Sequence, residues 1–324
     1  VAVLDGVEHV LQEAALAPGD VDVFVHGTTL ATNALIERSG AKTALLTTAG
    51  MRDSIEMAHE NRFEQYDLAM VRPEPLVPRH RRIGIPERIS ATGVVLMELD
   101  EDTLASELLD LKNSGVESVA VGFLHSYVDP NHELRTREII ENLWPEVTVT
   151  LSSEVCPEIR EYERTSTVVI DAYIKPIMAQ YFTDLEYRLK EKGLTCGVSV
   201  VSSNGGTLPS VEARRGPVKI LQSGPAGGVI AAAHLGQQAG YENLLAIDVG
   251  GTSFEVSLIE EGEPKRTTEA AIEWGIPFKV PLVDVKSIGA GGGSIASIDA
   301  GGLITVGPES AGADPGPACY GRGG

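Results

Sequence analysis

The sequence is short of positive charge. Its 26 lysines and arginines face 46 aspartates and glutamates, a net charge of −20 over 324 residues. That deficit argues against a nucleic-acid partner or an anionic membrane surface, both of which need clustered cations. Long apolar runs are missing as well, and no stretch approaches the roughly 18 consecutive residues of a membrane span. Cysteine is scarce: Cys156, Cys196 and Cys319 are odd in number and far apart. They make neither a disulfide framework nor a CxxC metal pattern. No GxxxxGK(S/T) occurs, which excludes a Walker P-loop, and no GxGxxG opens a helix after a strand, which excludes a Rossmann dinucleotide site. Neither HExxH nor a Ser-His-Asp order is evident. No secretory leader pattern is present, so the expected compartment is the cytoplasm.

What is present is an ordinary globular composition, 43% apolar and 22% charged, long enough for about two domains. Strand and helix patterns alternate through the first half, which favours a parallel sheet. Strands are expected at Val21–Val25, Thr43–Thr47, Ser118–Leu124 and Val147–Leu151. Helices are expected from Thr28 or Thr29 to Arg38, over Asp102–Asn113, and from Asp129-Pro130 to Leu143. The stretch from Ala58 to Pro86 has no period and is expected to be loop, and Arg82–Ile89 with Gly93–Leu99 to form a hairpin. Beyond Arg164 a long helix is expected, broken or kinked at Pro176. A domain boundary is placed near residue 160, giving segments 1–160 and 161–324.

The 35 glycines are uneven, with many in pairs and triplets beyond Gly205. Glycine so dense in an apolar chain marks tight turns or close backbone approach. In Ala246-Ile-Asp-Val-Gly-Gly-Thr-Ser-Phe-Glu-Val-Ser-Leu258 an apolar strand delivers Asp248 to a glycine turn. Gly250 and Gly251 let amides approach an anion, Thr252 and Ser253 add hydroxyls, and Asp248 suits a magnesium shell. A plain hairpin with glycines at its tip is the alternative. Ser287-Ile-Gly-Ala-Gly-Gly-Gly-Ser294 is a second glycine loop, suited to a phosphate or ribose, with a linker as the alternative. Ser223-Gly-Pro-Ala-Gly-Gly228 caps and opens a helix whose glycines permit close packing. His26-Gly-Thr-Thr29 sits between a strand and a helix start, where anions bind and a histidine acts as acid or base. Simple capping threonines and a hydrogen-bonded histidine are the alternative there.

Other polar clusters are weaker. Arg79 to Arg82 with Arg88 fits a solvated strand face, with an anion site as the alternative, and His59-Glu60-Asn61-Arg62 is polar enough to line a pocket. Glu158 to Arg164 alternates in sign, a pattern of ion pairs at a domain junction. Cys319 is expected to be a small buried thiol in a turn.

Taken together and in order, these motifs resemble the hydantoinase A / 5-oxoprolinase family. The matching stretches include His26 to Leu35, Pro75 to Pro78 with Glu87-Arg88, Ser152 to Glu158, Glu161 to Arg164, Ser223 to Gly228, Asp248 to Ser253, Gly289 to Ser294, and Val306 to Ala313 with Pro315 to Pro317. The resemblance implies an α/β, actin-like ATPase (ribonuclease H-like) two-domain architecture with mixed sheets. It implies ATP and Mg2+ as cofactors and phosphorylation of a carbonyl or enol oxygen. The implied function is an ATP-dependent hydrolase opening a cyclic amide such as 5-oxoproline or a hydantoin, completed by a hydantoinase B-like subunit or domain. The ATP-binding subunit of an acetone- or acetophenone-type carboxylase is the alternative within the family, and a non-catalytic assembly domain the alternative outside it.

By position, Asp248 would hold the metal with Glu255. Gly250, Gly251, Thr252 and Ser253 would cradle phosphate, and Gly291, Gly292 and Gly293 would line the cleft. Ser223 and Gly224 would open a cleft or hinge helix, and His26, Thr28 and Thr29 would face the reacting centre. The family carries an earlier Asp-x-Gly-Gly-Thr hairpin and continues past Gly324, so the resemblance implies a chain incomplete at both termini. Phe254-Glu255 stands where many members have Thr-Asp.

Overall fold

Thr43–Thr48 and Ser118–Gly122 are buried at every residue. Strands covered on both faces belong at the centre of a parallel sheet. In the computed structural model, which describes residues 2–60, 65–251, 253–272, 276–299 and 301–324, they pair in parallel at the middle of four strands. The order is Arg82–Ile85, Thr43–Thr48, Ser118–Gly122, Thr148–Leu151, with every pair parallel. The chain therefore adds one strand to the left of Thr43–Thr48, then two to its right.

Alternation along these strands makes two cores. Ala44, Leu46, Val119 and Val121 pack with Leu104, Leu108 and Leu111 of the helix Glu101–Asn113 and with Ile139 and Ile140 of the helix Asn131–Leu143. Leu45 and Ala120 face the other way, onto Ile55 and onto Val168, Val169 and Ala172 of the long helix Glu161–Glu191. That helix is continuous through Pro176 over 31 residues. An interior proline costs about 3 kcal/mol, and the buried residues on either side of it, Ala172 to Ile174 and then Met178 and Phe182, hold the helix together.

Arg82–Ile85 belongs to the parallel sheet, and only Arg88–Ile89 pairs antiparallel with Val95–Met97. The expected long hairpin is thus reduced to a short one. Arg82 is buried rather than solvated. Its guanidinium donates to the Val77 carbonyl at 2.8 Å and to Glu56 at 2.6 Å. A smaller sheet pairs Phe24–His26 in parallel with Val198–Val201, next to Thr207–Pro209.

The chain folds into two compact units. The first comprises Val1–Val200, Thr207–Leu221 and Thr268–Val280, and the second Val201–Gly206, Gln222–Thr267 and Pro281–Gly324. Residue 160 thus lies inside the first unit, just before the long helix. In the second unit the helix Ser223–Ala239 packs Ala226, Val229 and Ala233 on Ile259 and Val283. Among the described residues no helix is long and apolar enough to cross a membrane.

The first unit also buries a carboxyl group. Asp171 on the long helix is fully covered and accepts the Val218 N–H at 3.0 Å, with Lys175 Nζ at 4.0 Å. Burial pushes its pKa up to about 6, Lys175 opposing. A carboxyl raised in the native state favours folding below its unfolded pKa, and that advantage is lost as pH rises through the native value. Asp171→Asn should therefore gain on the parent protein, by up to about 3 kcal/mol, between pH 4 and pH 7. Urea unfolding of both proteins at the two pH values checks this. A difference that does not change with pH would mean the carboxyl titrates normally.

Candidate functional site

The strand Leu244–Val249 runs antiparallel to Phe254–Glu260, and the register sets Asp248 directly opposite Glu255. The turn between them closes with Gly250 N–H donating to the Ser253 carbonyl at 3.0 Å. Ser253 Oγ donates to Glu255 Oε1 at 2.6 Å. Two carboxylates facing each other across a strand pair repel. Among the described residues no ion pair relieves Asp248 or Glu255, and Asp248 is exposed while Glu255 is half-buried. The pair is a set of hard oxygen donors on one face of the hairpin.

Val285–Ile288 pairs on the other side of Phe254–Glu260, with Ser287 beside Glu255. It leads into the second glycine loop, which returns to the hairpin tip. Gly292 N–H donates to the Gly250 carbonyl at 2.9 Å and Gly293 N–H to the Gly251 carbonyl at 2.7 Å. Glycine is required at this junction. A Cβ on Gly293 would lie 3.0 Å from both Gly251 O and Ser310 Oγ. The Gly291 N–H goes to Ser294 Oγ at 2.8 Å. The three amides of Gly291 to Gly293 are thus spent on the protein itself. The loop braces the hairpin tip through these bonds. The Gly251 N–H enters none of these bonds. Thr252 lies outside the described residues.

The helix Ser223–Ala239 covers the face of the hairpin that carries Asp248 and Glu255. Pro225, Gly228 and Val229 from the helix, with Ala246, Asp248 and Glu255 from the hairpin, line a cavity of about 180 Å3. Ser223 is buried at the start of this helix and Gly224 is exposed. The structure therefore brings Asp248, Gly250, Gly251, Ser253, Glu255 and Gly291 to Gly293 together in one unit, with the Ser223 helix packed against them.

His26, Thr28 and Thr29 belong to the first unit. His26 Nε2 lies 2.7 Å from the Tyr181 hydroxyl, and burial lowers the His26 pKa, which keeps the ring neutral. Thr28 Oγ1 accepts the Leu30 N–H at 3.1 Å and also meets the Tyr181 hydroxyl. Thr29 precedes the helix Leu30–Ile36 without a side-chain cap bond. Tyr181, on the helix Glu161–Glu191, is the member that no motif singled out. Its partner is 155 residues away, and no sequence signal links them.

The weaker clusters resolve as follows. His59 stacks edge-on against Tyr162 at 4.9 Å and sits 3.6 Å from Glu163. Asn61 and Arg62 lie outside the described residues. The Glu158 to Arg164 stretch pairs Glu158 with Lys279 at 3.0 Å, while Arg164 binds backbone carbonyls. Cys319 is exposed, not buried, whereas Cys156 is buried and its thiol pKa is raised by that burial. Among the described residues no group of three or more His, Cys, Asp or Glu side chains gathers to hold a metal. Magnesium needs no such group, because it keeps several waters and is held by one or two carboxylates with substrate phosphates. Asp248 and Glu255 fit that requirement.

The second unit thus joins a carboxylate-bearing glycine hairpin to a bracing glycine loop within an α/β chain. Comparison with known proteins gives the family. The model of the hydantoinase/oxoprolinase N-terminal region matches residues 1–144, and the hydantoinase/oxoprolinase model matches residues 164–324. The chain belongs to the hydantoinase/oxoprolinase family. It is 39% identical over 307 residues to the caprolactamase subunit alpha of Pseudomonas jessenii, covering 94% of this chain and 44% of that protein. It is 35% identical over 321 residues to the acetophenone carboxylase gamma subunit of Aromatoleum aromaticum, covering 94% and 43%. The crystal structure of ATP-dependent caprolactamase from Pseudomonas jessenii superposes with a TM-score of 0.87 at 36% identity, over 100% of this chain and 48% of that one. The chain spans less than half the length of these relatives. The α/β fold implied by the resemblance is the one observed.

Proposed function

We propose that this chain forms the nucleotide-binding part of an ATP-dependent enzyme that opens a cyclic amide. The observation that carries this reading is the bracing of the Gly250–Ser253 turn by Gly292 and Gly293, beside the opposed carboxylates of Asp248 and Glu255. Asp248 and Glu255 would hold Mg2+, and the turn would meet the phosphates. Bound Mg-ATP would supply phosphorylation of the amide oxygen, which removes the resonance that protects a lactam. The chain's own part is positioning and charge neutralisation. Neutral His26, held by the Tyr181 hydroxyl, with Thr28 and Thr29, would serve the reacting carbonyl. A hydantoinase B-like subunit or domain would complete hydrolysis. The chain is similar both to a caprolactamase subunit, at 39% identity, and to a carboxylase subunit, at 35%, so the bicarbonate dependence of turnover decides between hydrolase and carboxylase.

The test is ADP release by the purified chain with Mg2+, ATP and ε-caprolactam, hydantoin, 5-oxoproline or acetone, with and without bicarbonate. Lactam-stimulated release that ignores bicarbonate is the expected result. Release that requires bicarbonate and a ketone would assign the chain to the carboxylases. Absence of ATP binding and turnover would leave an assembly role.

A further inference from the structure

The strand Leu244–Val249 lies at the edge of its sheet. It pairs with Phe254–Glu260 on one side, and among the described residues no strand pairs with its other side. The turn fixes which backbone groups are left over. Gly250 N–H donates to the Ser253 carbonyl, so these two residues form a hydrogen-bonded pair, and such pairs alternate along an antiparallel ladder. By the register, Asp248 with Glu255, Ala246 with Ser257 and Leu244 with Ile259 are hydrogen-bonded pairs too. Leu245, Ile247 and Val249 therefore turn their N–H and C=O groups outward, to the open edge.

These three residues also carry exposed side chains, at 65%, 57% and 56%. The register places them on one face, with Leu258, Val256 and Phe254 across the ladder. Leu244 and Ala246 face the other way, onto the helix Ser223–Ala239. An open edge lined by apolar side chains is a template for a further strand, and proteins blunt such edges with proline, lysine, bulges or very short strands. Other edges of this chain carry those devices: Thr207–Pro209 ends in proline, and the pairing of Arg88–Ile89 with Val95–Met97 shifts register. Leu244–Val249 has six residues, no proline, no lysine and an unbroken register.

The strand is complementary to itself. A two-fold axis sets two copies of one edge antiparallel. Because side chains alternate between faces, only an axis through a residue keeps apolar opposite apolar. An axis through Asp248 would oppose two carboxylates, which repel. An axis through Ala246 would set Asp248 opposite Leu244 and leave Val249 beyond the paired strand. An axis through Ile247 sets Ile247 opposite its copy, Leu245 opposite Val249, and Asp248 opposite Ala246. Every outward backbone group of the strand then finds a partner. The covering helix has exposed Gly224, Gly228 and Ala231 along one side, small enough for a second helix to lie about 8 Å away.

We propose that two copies of this chain pair through Leu244–Val249, antiparallel about a two-fold axis at Ile247, and join their sheets into one. Nucleotide is not needed for this pairing.

The experiment is sedimentation velocity of the nucleotide-free chain over a concentration series, with residue-resolved hydrogen exchange by NMR on the same samples. A monomer–dimer equilibrium is expected. The amides of Leu245, Ile247 and Val249 should gain protection as the dimer forms, while those of Ala246 and Asp248 are protected throughout. Ile247→Pro removes an outward N–H, which an edge strand tolerates. It should weaken the dimer about tenfold or more, with circular dichroism and the Ala246 and Asp248 amides unchanged. Leu245→Lys, which keeps the backbone intact and charges the edge, should weaken it as well. With Cys196→Ser and Cys319→Ser in place, Ile247→Cys should give a disulfide-linked dimer on oxidation, because residues opposite each other in a hydrogen-bonded pair lie about 5.5 Å apart at Cα. Leu245→Cys should not, since its copy lies on the far side of the axis. A monomer at every concentration, a dimer whose three outward amides gain no protection, or a dimer that survives both Ile247→Pro and Leu245→Lys would overturn the proposal. So would protection of those amides in the monomer, which would mean that another part of the chain covers the edge.

Discussion

Replacing Asp248 with alanine is expected to weaken Mg-ATP binding by about 10- to 100-fold, the effect of losing an interaction with a charged group worth about 1.5–3 kcal/mol. The fold should survive. Asp248 is exposed at the end of its strand, and its cross-strand neighbour is another carboxylate. Removing one of two like charges relieves repulsion rather than breaking a contact. Circular dichroism and the thermal midpoint should therefore match the parent protein. Isothermal titration with ATP, with and without Mg2+, reads the effect. The parent and the variant should differ only when magnesium is present, since Asp248 is assigned to the metal and the backbone turn to the phosphates. Unchanged Mg-ATP affinity in a folded variant would remove Asp248 from the site. Glu255→Gln should have a smaller effect, because Ser253 already occupies one of its oxygens.

The hairpin that carries this prediction was legible in the sequence because its signals are local. An apolar strand, paired glycines and an alternating return strand specify the turn, and the turn length fixes Asp248 opposite Glu255. The second glycine loop was legible as a loop, but its role was not. Two backbone hydrogen bonds join it to residues about 40 positions earlier, between glycines that have no side chains to advertise the contact. The same limit hid Tyr181, whose spacing on the long helix reads as core while its hydroxyl meets His26. Arg82 failed for a different reason. Charge reads as surface, but a guanidinium with a carboxylate and a carbonyl to bind can be buried as the first residue of a sheet strand. Pro176 reads as a break because local cost dominates a sequence argument, whereas the packing of a 31-residue helix is decided over its whole length.

A second large effect is expected at Glu133, which no motif singled out. Its carboxylate is fully buried and ties three segments together. Oε1 accepts the Phe123 N–H at 3.0 Å and the Ser152 hydroxyl at 2.6 Å, and Oε2 accepts the Ser153 N–H at 2.9 Å. Phe123 follows the strand Ser118–Gly122 and Ser152 follows Thr148–Leu151, so Glu133 closes the carboxyl ends of two parallel strands from the helix Asn131–Leu143. The buried Arg164 is lowered in pKa by that burial, and Glu133 is one of several negative groups around it that oppose the shift. Glu133→Ala leaves the Phe123 and Ser153 N–H groups unpaired, while the Ser152 hydroxyl keeps Ser126 at 3.0 Å. Each buried donor left without a partner costs about 1–3 kcal/mol, so a loss of about 2–6 kcal/mol is expected, a large share of the stability of a domain. Glu133→Gln keeps the shape and one acceptor but turns an amide donor toward other donors, so an intermediate loss is expected. Urea unfolding followed by circular dichroism ranks the three proteins. A loss below about 1 kcal/mol in Glu133→Ala, the scale of a single ordinary hydrogen bond, would mean that water or a repacked Arg164 replaces the carboxylate. The carboxyl edge of the sheet would then not depend on it.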